Sequence, residues 1–195
     1  MGRDKELRFP IPIYPIKNRK IDYRVLLWVI LISNRDNNDS NKVKRYLYLN
    51  KLNKHSSKIL KNLNIKKRSL KDKINALCDE GVMDYIPDCN KYYEIFCKNI
   101  YNENEYILLT KSKIKHILNS ELNSNEIKVY LIITDILIGK EEEEISRREL
   151  IERTGLSIRT ISTITNKLSE KQFIDINKEN IIYSNNRKNI YRIKK

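Results

Sequence analysis

One sequence pattern occurs twice in this chain, at positions that differ by 91. The first copy starts at Asn64 and the second at Gly155, and each runs on to a leucine and then to two consecutive apolar residues. The apolar positions of the two copies align without a gap. A repeat of this length is typical of a duplicated domain. The sequence therefore predicts two related domains in tandem.

The length and composition of the chain agree with two small domains. Its 195 residues can hold two domains of roughly 80–100 residues each. A hydrophobic content of 40% is enough for packed cores, and only 4 Gly and 4 Pro favour a helix-rich fold over disorder. Three of the prolines lie within residues 1–17. We expect residues 1–17 to form an extended arm, residues 18–110 a first domain and residues 111–195 a second domain.

The charge distribution is strongly basic. The net charge is +14, and it is positive both before and after Thr110. Residues 42–73 hold 12 Lys or Arg and one acid, which gives +11 over 32 residues. Such a density attracts a polyanion. A general lysine bias explains a scattered excess of basic residues better than it explains this cluster, so the sequence predicts nucleic-acid binding.

Polar residues that can bond free backbone amides predict where helices begin. The predicted caps are Asp22, Thr110, Ser124, Ser146 and Ser157. Residues 54–63 and 66–79 are predicted as two consecutive helices, and residues 141–144 as a solvated acidic loop. Each half then has the order helix, short strand, helix, turn, helix, hairpin. The predicted fold class is mainly α with small β-hairpins, that is α+β.

In both copies the last two helices have the spacing of a helix-turn-helix, in which the second helix enters the major groove of DNA. In the second copy, Ile161, Ile164 and Leu168 share one face of that helix. The side chains at its start and opposite that face are mostly of types that bind base edges and phosphates. They are Ser157, Ile158, Arg159, Thr160, Ser162, Thr163 and Asn166.

In the first copy the second helix is more basic. Leu70, Ile74 and Leu77 form its apolar face. Asp72 faces outward as well, but the other outward residues, together with two lysines of the preceding helix, suit a grip on phosphates better than base reading. They are Lys66, Lys67, Arg68, Lys71, Asn75, Lys54 and Lys58.

Residues 155–174 resemble the recognition segment of winged-helix bacterial regulators of the GntR type. The resemblance lies in the small turn residue, the serine cap, the leucine seven residues after an inner apolar residue, and the two apolar residues that start the wing. It implies DNA contacts at the start of the helix, at Ser157, Ile158, Arg159, Thr160 and Ser162. It also implies a contact early in the preceding helix, at Arg148, beside which Arg147 is a further candidate. In a winged helix the wing residues Arg187 and Lys188 are expected to meet a phosphate or the minor groove. This sequence has isoleucine at 158 and serine at 162, where the family usually has a polar or basic residue and often an arginine.

The element order also resembles replication initiators of plasmids and phages, which carry two winged helices in tandem. The resemblance implies a double-stranded DNA-binding protein with two tandem winged helix-turn-helix domains, acting in replication or DNA maintenance. One alternative is a transcriptional regulator in which one winged helix binds DNA and the other dimerises. Another is a non-catalytic interaction module of a replisome or conjugation complex.

Several function classes find no support in the sequence. We find no phosphate-binding loop, no nucleophile elbow and no His/Cys metal set, so we expect no enzyme, no metal, no cofactor and no small-molecule ligand. The longest apolar run, residues 25–32, is too short to cross a bilayer. Three cysteines without metal spacing suit reduced thiols in a cytoplasm. Whether the chain forms a homodimer stays open.

Overall fold

The fold is α+β, with seven helices and three small antiparallel sheets in the part of the chain described below. The computed structural model describes residues 8–35, 44–87, 91–96, 106–177 and 188–194. Contacts divide the chain into two compact units, Met1–Leu122 and Asn123–Lys195.

The first unit is built around one buried helix. Its elements in chain order are β1 (Arg8–Pro12), α1 (Tyr23–Ile32), β2 (Asn34–Arg35), β3 (Lys44–Tyr48), α2 (Leu49–Leu63), α3 (Lys67–Asp79), β4 (Met83–Ile86), β5 (Tyr92–Phe96), β6 (Tyr106–Thr110) and α4 (Lys111–Asn119). Helix α1 is apolar on nearly every side and packs against α2, α3 and α4. Asp22 caps it as predicted, accepting a hydrogen bond from the backbone N of Arg24 at 3.0 Å.

Two antiparallel sheets flank these helices. One has the strand order β2-β3-β5-β4, and the other pairs β1 with β6. Ile11 lies opposite Ile107 in the second sheet, and both side chains are buried. The Tyr23 hydroxyl donates to the carbonyl O of Pro12 at 2.9 Å, which ties this sheet to α1. Because β6 pairs with β1 and α4 packs on α1, the first unit extends past Thr110.

The second unit is smaller and is also centred on a buried helix. Its elements are α5 (Ser124–Ile136), β7 (Glu143–Ser146), α6 (Arg147–Thr154), α7 (Ile158–Glu170), β8 (Ile174–Asn177) and β9 (Lys188–Ile193). Helix α5 contacts both α6 and α7. The Tyr130 ring of α5 meets the Phe173 ring edge to face, with centroids 5.3 Å apart. The three strands form one antiparallel sheet in the order β7-β9-β8.

Three predicted boundaries were wrong. Asn123, not Ser124, caps α5, because a glutamate three residues later completes a reciprocal capping box with Asn123. Glu143 and Glu144 belong to strand β7, which pairs with β9, rather than to a loop. Helix α2 starts at Leu49 rather than at residue 54.

The two units share an element order and a sheet topology. Both contain the series helix, strand, helix, helix and two strands, as α1-β3-α2-α3-β4-β5 and α5-β7-α6-α7-β8-β9, and in each series the last strand pairs with the other two. The first unit adds β1, β2, β6 and α4. Adding 91 to the bounds of α3 and β4 gives the bounds of α7 and β8. The turn after the helix is closed alike, with Val82 N donating to Leu77 O and Phe173 N to Leu168 O, both at 2.9 Å. The sequence repeat is therefore a structural repeat.

Candidate nucleic-acid interface

The turn between the last two helices has the same form in both units. Asn64 ends α2 and Gly155 ends α6, both with left-handed backbone at φ 50° and φ 70°. Gly155 N donates to Ile151 O at 2.8 Å, and Asn64 N to Lys61 O at 3.3 Å. A left-handed residue here ends one helix and re-aims the chain into the next.

Buried side chains fix which face of the second helix is left outward. In α7 the predicted inward residues Ile161, Ile164 and Leu168 are all buried. In α3 the same holds for Leu70, Ile74 and Leu77. Both predicted apolar faces are thus confirmed, and the opposite faces are available to a partner.

An ion pair holds each of these helices against the start of its unit's central helix. In the first unit, Lys73 Nζ lies 2.5 Å from Oδ2 of Asp22, the residue that caps α1. In the second unit, Lys167 Nζ lies 2.5 Å from Oε1 of Glu126, in the first turn of α5. The Glu126 side chain is only 3% exposed. These two ion pairs orient α3 and α7 through lysines at their inner edges. They use none of the residues on the predicted outward faces.

The predicted residues of the second unit lie mainly at its surface. Six are exposed: Arg148, Ser157, Ile158, Arg159, Thr163 and Asn166. Arg147, Thr160 and Ser162 are half-buried. Arg187 and the side chain of Lys188 lie outside the described residues.

Hydroxyl groups at the start of α7 bond to the helix itself. Ser157 Oγ accepts from the backbone N of Thr160 at 3.2 Å, and the two side-chain hydroxyls lie 2.8 Å apart. One turn later, the Thr163 hydroxyl donates to the carbonyl O of Arg159 at 3.1 Å. Ser157 therefore caps α7, and each of the three hydroxyls must share its hydrogen-bonding capacity with any ligand.

Arg148 on α6 is paired with an acid one turn further on. Its Nε lies 2.8 Å from Oε1 of Glu152, and both side chains are exposed. The hydrogen bond and the charge of Glu152 raise the pKa of the Arg148 guanidinium. A phosphate at this point must compete with Glu152 for the guanidinium. Sequence reasoning named Arg148 but missed this pairing.

The first unit presents a more basic surface. All seven predicted residues are exposed on α2 or at the outward side of α3: Lys54, Lys58, Lys66, Lys67, Arg68, Lys71 and Asn75. Lys58 Nζ also lies 5.9 Å from the centroid of the Trp28 ring. Lys61 is exposed too and was not predicted. Its spacing from Lys54 and Lys58 puts the three lysines on one stripe of α2, and this periodicity would have revealed it.

Comparison with protein-family models and with curated protein sequences finds no match for this chain. Within the described ranges, no group of three or more His, Cys, Asp or Glu side chains is arranged to hold a metal ion. None of the described helices is both long enough and apolar enough to cross a membrane.

Proposed function

We propose that this chain is a double-stranded DNA-binding protein that uses two winged helices, and that it acts in plasmid or phage replication initiation or DNA maintenance. The observation that carries the proposal is the repeated arrangement of α2-α3-β4-β5 and α6-α7-β8-β9. In each copy a helix with a buried apolar face presents its polar or basic side outward. The major groove is wide enough to admit such a helix.

Charge supports a polyanionic partner. Helix α2 contains four lysines and no acid. Helix α3 and its cap Lys66 add five basic residues against two acids, Asp72 and Asp79. Phosphates attract such a surface, and each phosphate neutralised releases counterions. The binding should therefore depend steeply on salt.

The role in replication rests on the tandem arrangement. Two DNA-binding helices in one chain suit a site with two neighbouring major-groove contacts, about one helical turn of 10 base pairs apart. A chain built in this way can occupy such a site as a monomer. The proposal therefore predicts a protected stretch of DNA that depends on both helices.

The test uses the full chain on duplexes of about 30 base pairs, long enough for two successive grooves. Lys67→Glu with Arg68→Glu disables α3 and Arg159→Glu disables α7. Lys115→Glu on the exposed side of α4 is the charge control matched to Arg159→Glu. We expect both interface variants to weaken binding and the control to have little effect. The slope of log affinity against log salt should correspond to several phosphates, at about −0.9 per phosphate. Failure of the full chain to bind duplex DNA at low salt would refute the proposal.

A second candidate function is a transcriptional regulator whose first unit dimerises. One observation favours it. Tyr46, Tyr48 and Tyr92 lie together on the side of the β3-β5-β4 sheet opposite the buried Leu47 and Ile95. The Tyr92 ring centroid is 5.3 Å from that of Tyr46 and 5.9 Å from that of Tyr48. Aromatic clusters that are partly accessible are enriched at protein interfaces. Sedimentation of the full chain measures its oligomeric state and so distinguishes the two functions. A dimer that Tyr92→Ser converts into monomers would favour the regulator.

A further inference from the structure

One exposed apolar side chain stands on the proposed DNA-reading helix. Ile158 is the first residue of α7 and is 57% exposed. Single exposed apolar residues are ordinary on protein surfaces, so its exposure alone means little. Its position matters more. At the corresponding position of the first unit, α3 has the basic residue Lys67.

The residues next to Ile158 make it one of the main side chains that a partner can contact at the start of α7. The hydroxyls of Ser157 and Thr160 are bonded to each other, and that of Ser157 also caps the helix by accepting from the backbone N of Thr160. In the first turn of α7, Ile158 and Arg159 are then the exposed side chains that take no part in capping. Isoleucine is branched at Cβ and favours one side-chain rotamer in a helix, so little freedom is lost when it is held in place.

The edges of base pairs in the major groove offer one apolar group, the 5-methyl of thymine. An isoleucine cannot satisfy the donors and acceptors of the other base edges, whereas it packs well against a methyl group. We propose that Ile158 packs against the 5-methyl group of a thymine and makes the second unit prefer an A·T pair at that position. This inference rests on the proposed function, because it requires α7 to lie in the major groove.

The experiment removes the methyl group and nothing else. The full chain first selects duplexes from a random-sequence pool. In the selected duplex, each thymine in turn is replaced by deoxyuracil, which pairs identically but lacks the methyl. Removing one buried carbon from an apolar contact should weaken binding about fourfold. We expect that loss at one thymine, or at two adjacent ones, and no loss at the remaining thymines.

Variants then assign the methyl contact to Ile158. Ile158→Ala should bind the thymine and uracil duplexes equally well, and Ile158→Val should keep most of the difference. Ile138→Ala is the matched control, since Ile138 is 62% exposed in the same unit but lies in the turn after α5. It should retain the full fourfold difference. Circular dichroism of each variant checks that the fold is unchanged.

The possible results separate the two proposals. Equal losses on thymine-to-uracil exchange in the wild type and in Ile158→Ala would overturn the role of Ile158. Selection of no preferred sequence, or of a site whose affinity does not change at any thymine, would overturn it as well. Absence of binding to any duplex at low salt would instead overturn the proposed function itself.

Discussion

Gly81 and Gln172 occupy the same position of the two units, in the turn that follows α3 and α7, and both have left-handed backbone, at φ 68° and φ 60°. Their amides are bonded alike, Gly81 N to Cys78 O at 3.0 Å and Gln172 N to Ser169 O at 2.9 Å. Glycine adopts this conformation freely, whereas a residue with a Cβ atom is strained in it. The second unit therefore forms the same turn with a strained backbone at Gln172.

Replacing Gln172 by Gly should therefore stabilise the protein. The relief of left-handed strain, less the added freedom of glycine in the unfolded chain, should raise the free energy of unfolding by about 0.5–1 kcal/mol. Urea unfolding measures the change. The reciprocal control is Gly81→Ala, which should lower stability by about 1 kcal/mol. Within the described part of the chain, no heavy atom beyond the adjacent residues lies within 4 Å of a Cβ built at Gly81, so backbone strain alone would cause that loss. Destabilisation by Gln172→Gly would contradict the argument.

Helices α3 and α7 should differ in how a substitution on their outward faces affects the preference of the protein for one DNA sequence. Lys67→Ala removes a charge from α3, so we expect it to weaken binding to all duplexes alike and to lower the salt dependence by about one phosphate. Arg159→Ala removes a side chain able to bond base edges, so it should reduce the preference for the selected site over random DNA. Fluorescence titration over a salt series measures both effects. If both variants lost the same affinity for every duplex, α3 and α7 would not have the different roles proposed here.

The carboxylate of Glu126 should contribute more to stability than its partner Lys167. One oxygen of Glu126 accepts from the backbone N of Asn123 at 3.0 Å, and the other accepts from Lys167. Glu126→Ala removes the glutamate's half of the capping box and the ion pair together, and should reduce the free energy of unfolding by about 2 kcal/mol. Lys167→Ala leaves the capping bonds in place and should reduce it by about 1 kcal/mol.

A double-mutant cycle in urea unfolding isolates the Glu126–Lys167 interaction. The double variant should be more stable than the two single losses predict, because neither partner is left alone. Strict additivity would show that the ion pair contributes nothing beyond the capping box.

Cys78 should be a poorly reactive thiol. Burial, with smaller contributions from the charges of Asp79 and Asp84, raises the pKa of Cys78 from 9.0 to about 11. At pH 8 its thiolate fraction should be about a hundredfold below that of an unshifted thiol. In a Cys89→Ser, Cys97→Ser variant, a thiol reagent should react slowly with the folded chain and quickly in urea. Equal rates in both conditions would exclude the shift.

The same pKa shift has a consequence for stability. The folded chain keeps the Cys78 proton to higher pH than the unfolded chain does. The contribution of this group to stability is therefore fully present below pH 9.0 and is lost as the pH rises towards about 11. Replacing Cys78 by Ala should reduce this alkaline loss, which urea titrations at several pH values can detect.

Helix starts were predictable where the signal is local. Asp22, Thr110, Ser146 and Ser157 all cap helices as expected, since the side chain bonds an amide two or three residues away. The start of α2 lacks such a signal, because Tyr48 forms no capping bond with its side chain. At Asn123 two neighbouring polar residues competed, and only the position of the later glutamate decides between them.

Features that depend on distant residues were harder to predict. The alternating prolines near residue 10 suggested an extended arm, but nothing in the local sequence identifies residues 106–110 as the partner strand. At the candidate interface, the exposed faces followed from the 3.6-residue period. The pairing of Arg148 with Glu152 and the mutual bond of Ser157 and Thr160 depend on which rotamers are adopted. Periodicity places these side chains on a face without fixing their partners.

The pairing of β1 with β6 affects how the first unit folds while the chain is being synthesised. Ribosomes add about 5–20 residues per second, so the roughly hundred residues between these strands take several seconds to appear. During that interval the buried residues Phe9 and Ile11 have no partner strand. An unpaired apolar strand is a site for aggregation and for chaperone binding. The first unit should therefore complete its fold only after Thr110 has left the exit tunnel, and slower translation should prolong the period in which the nascent chain needs protection.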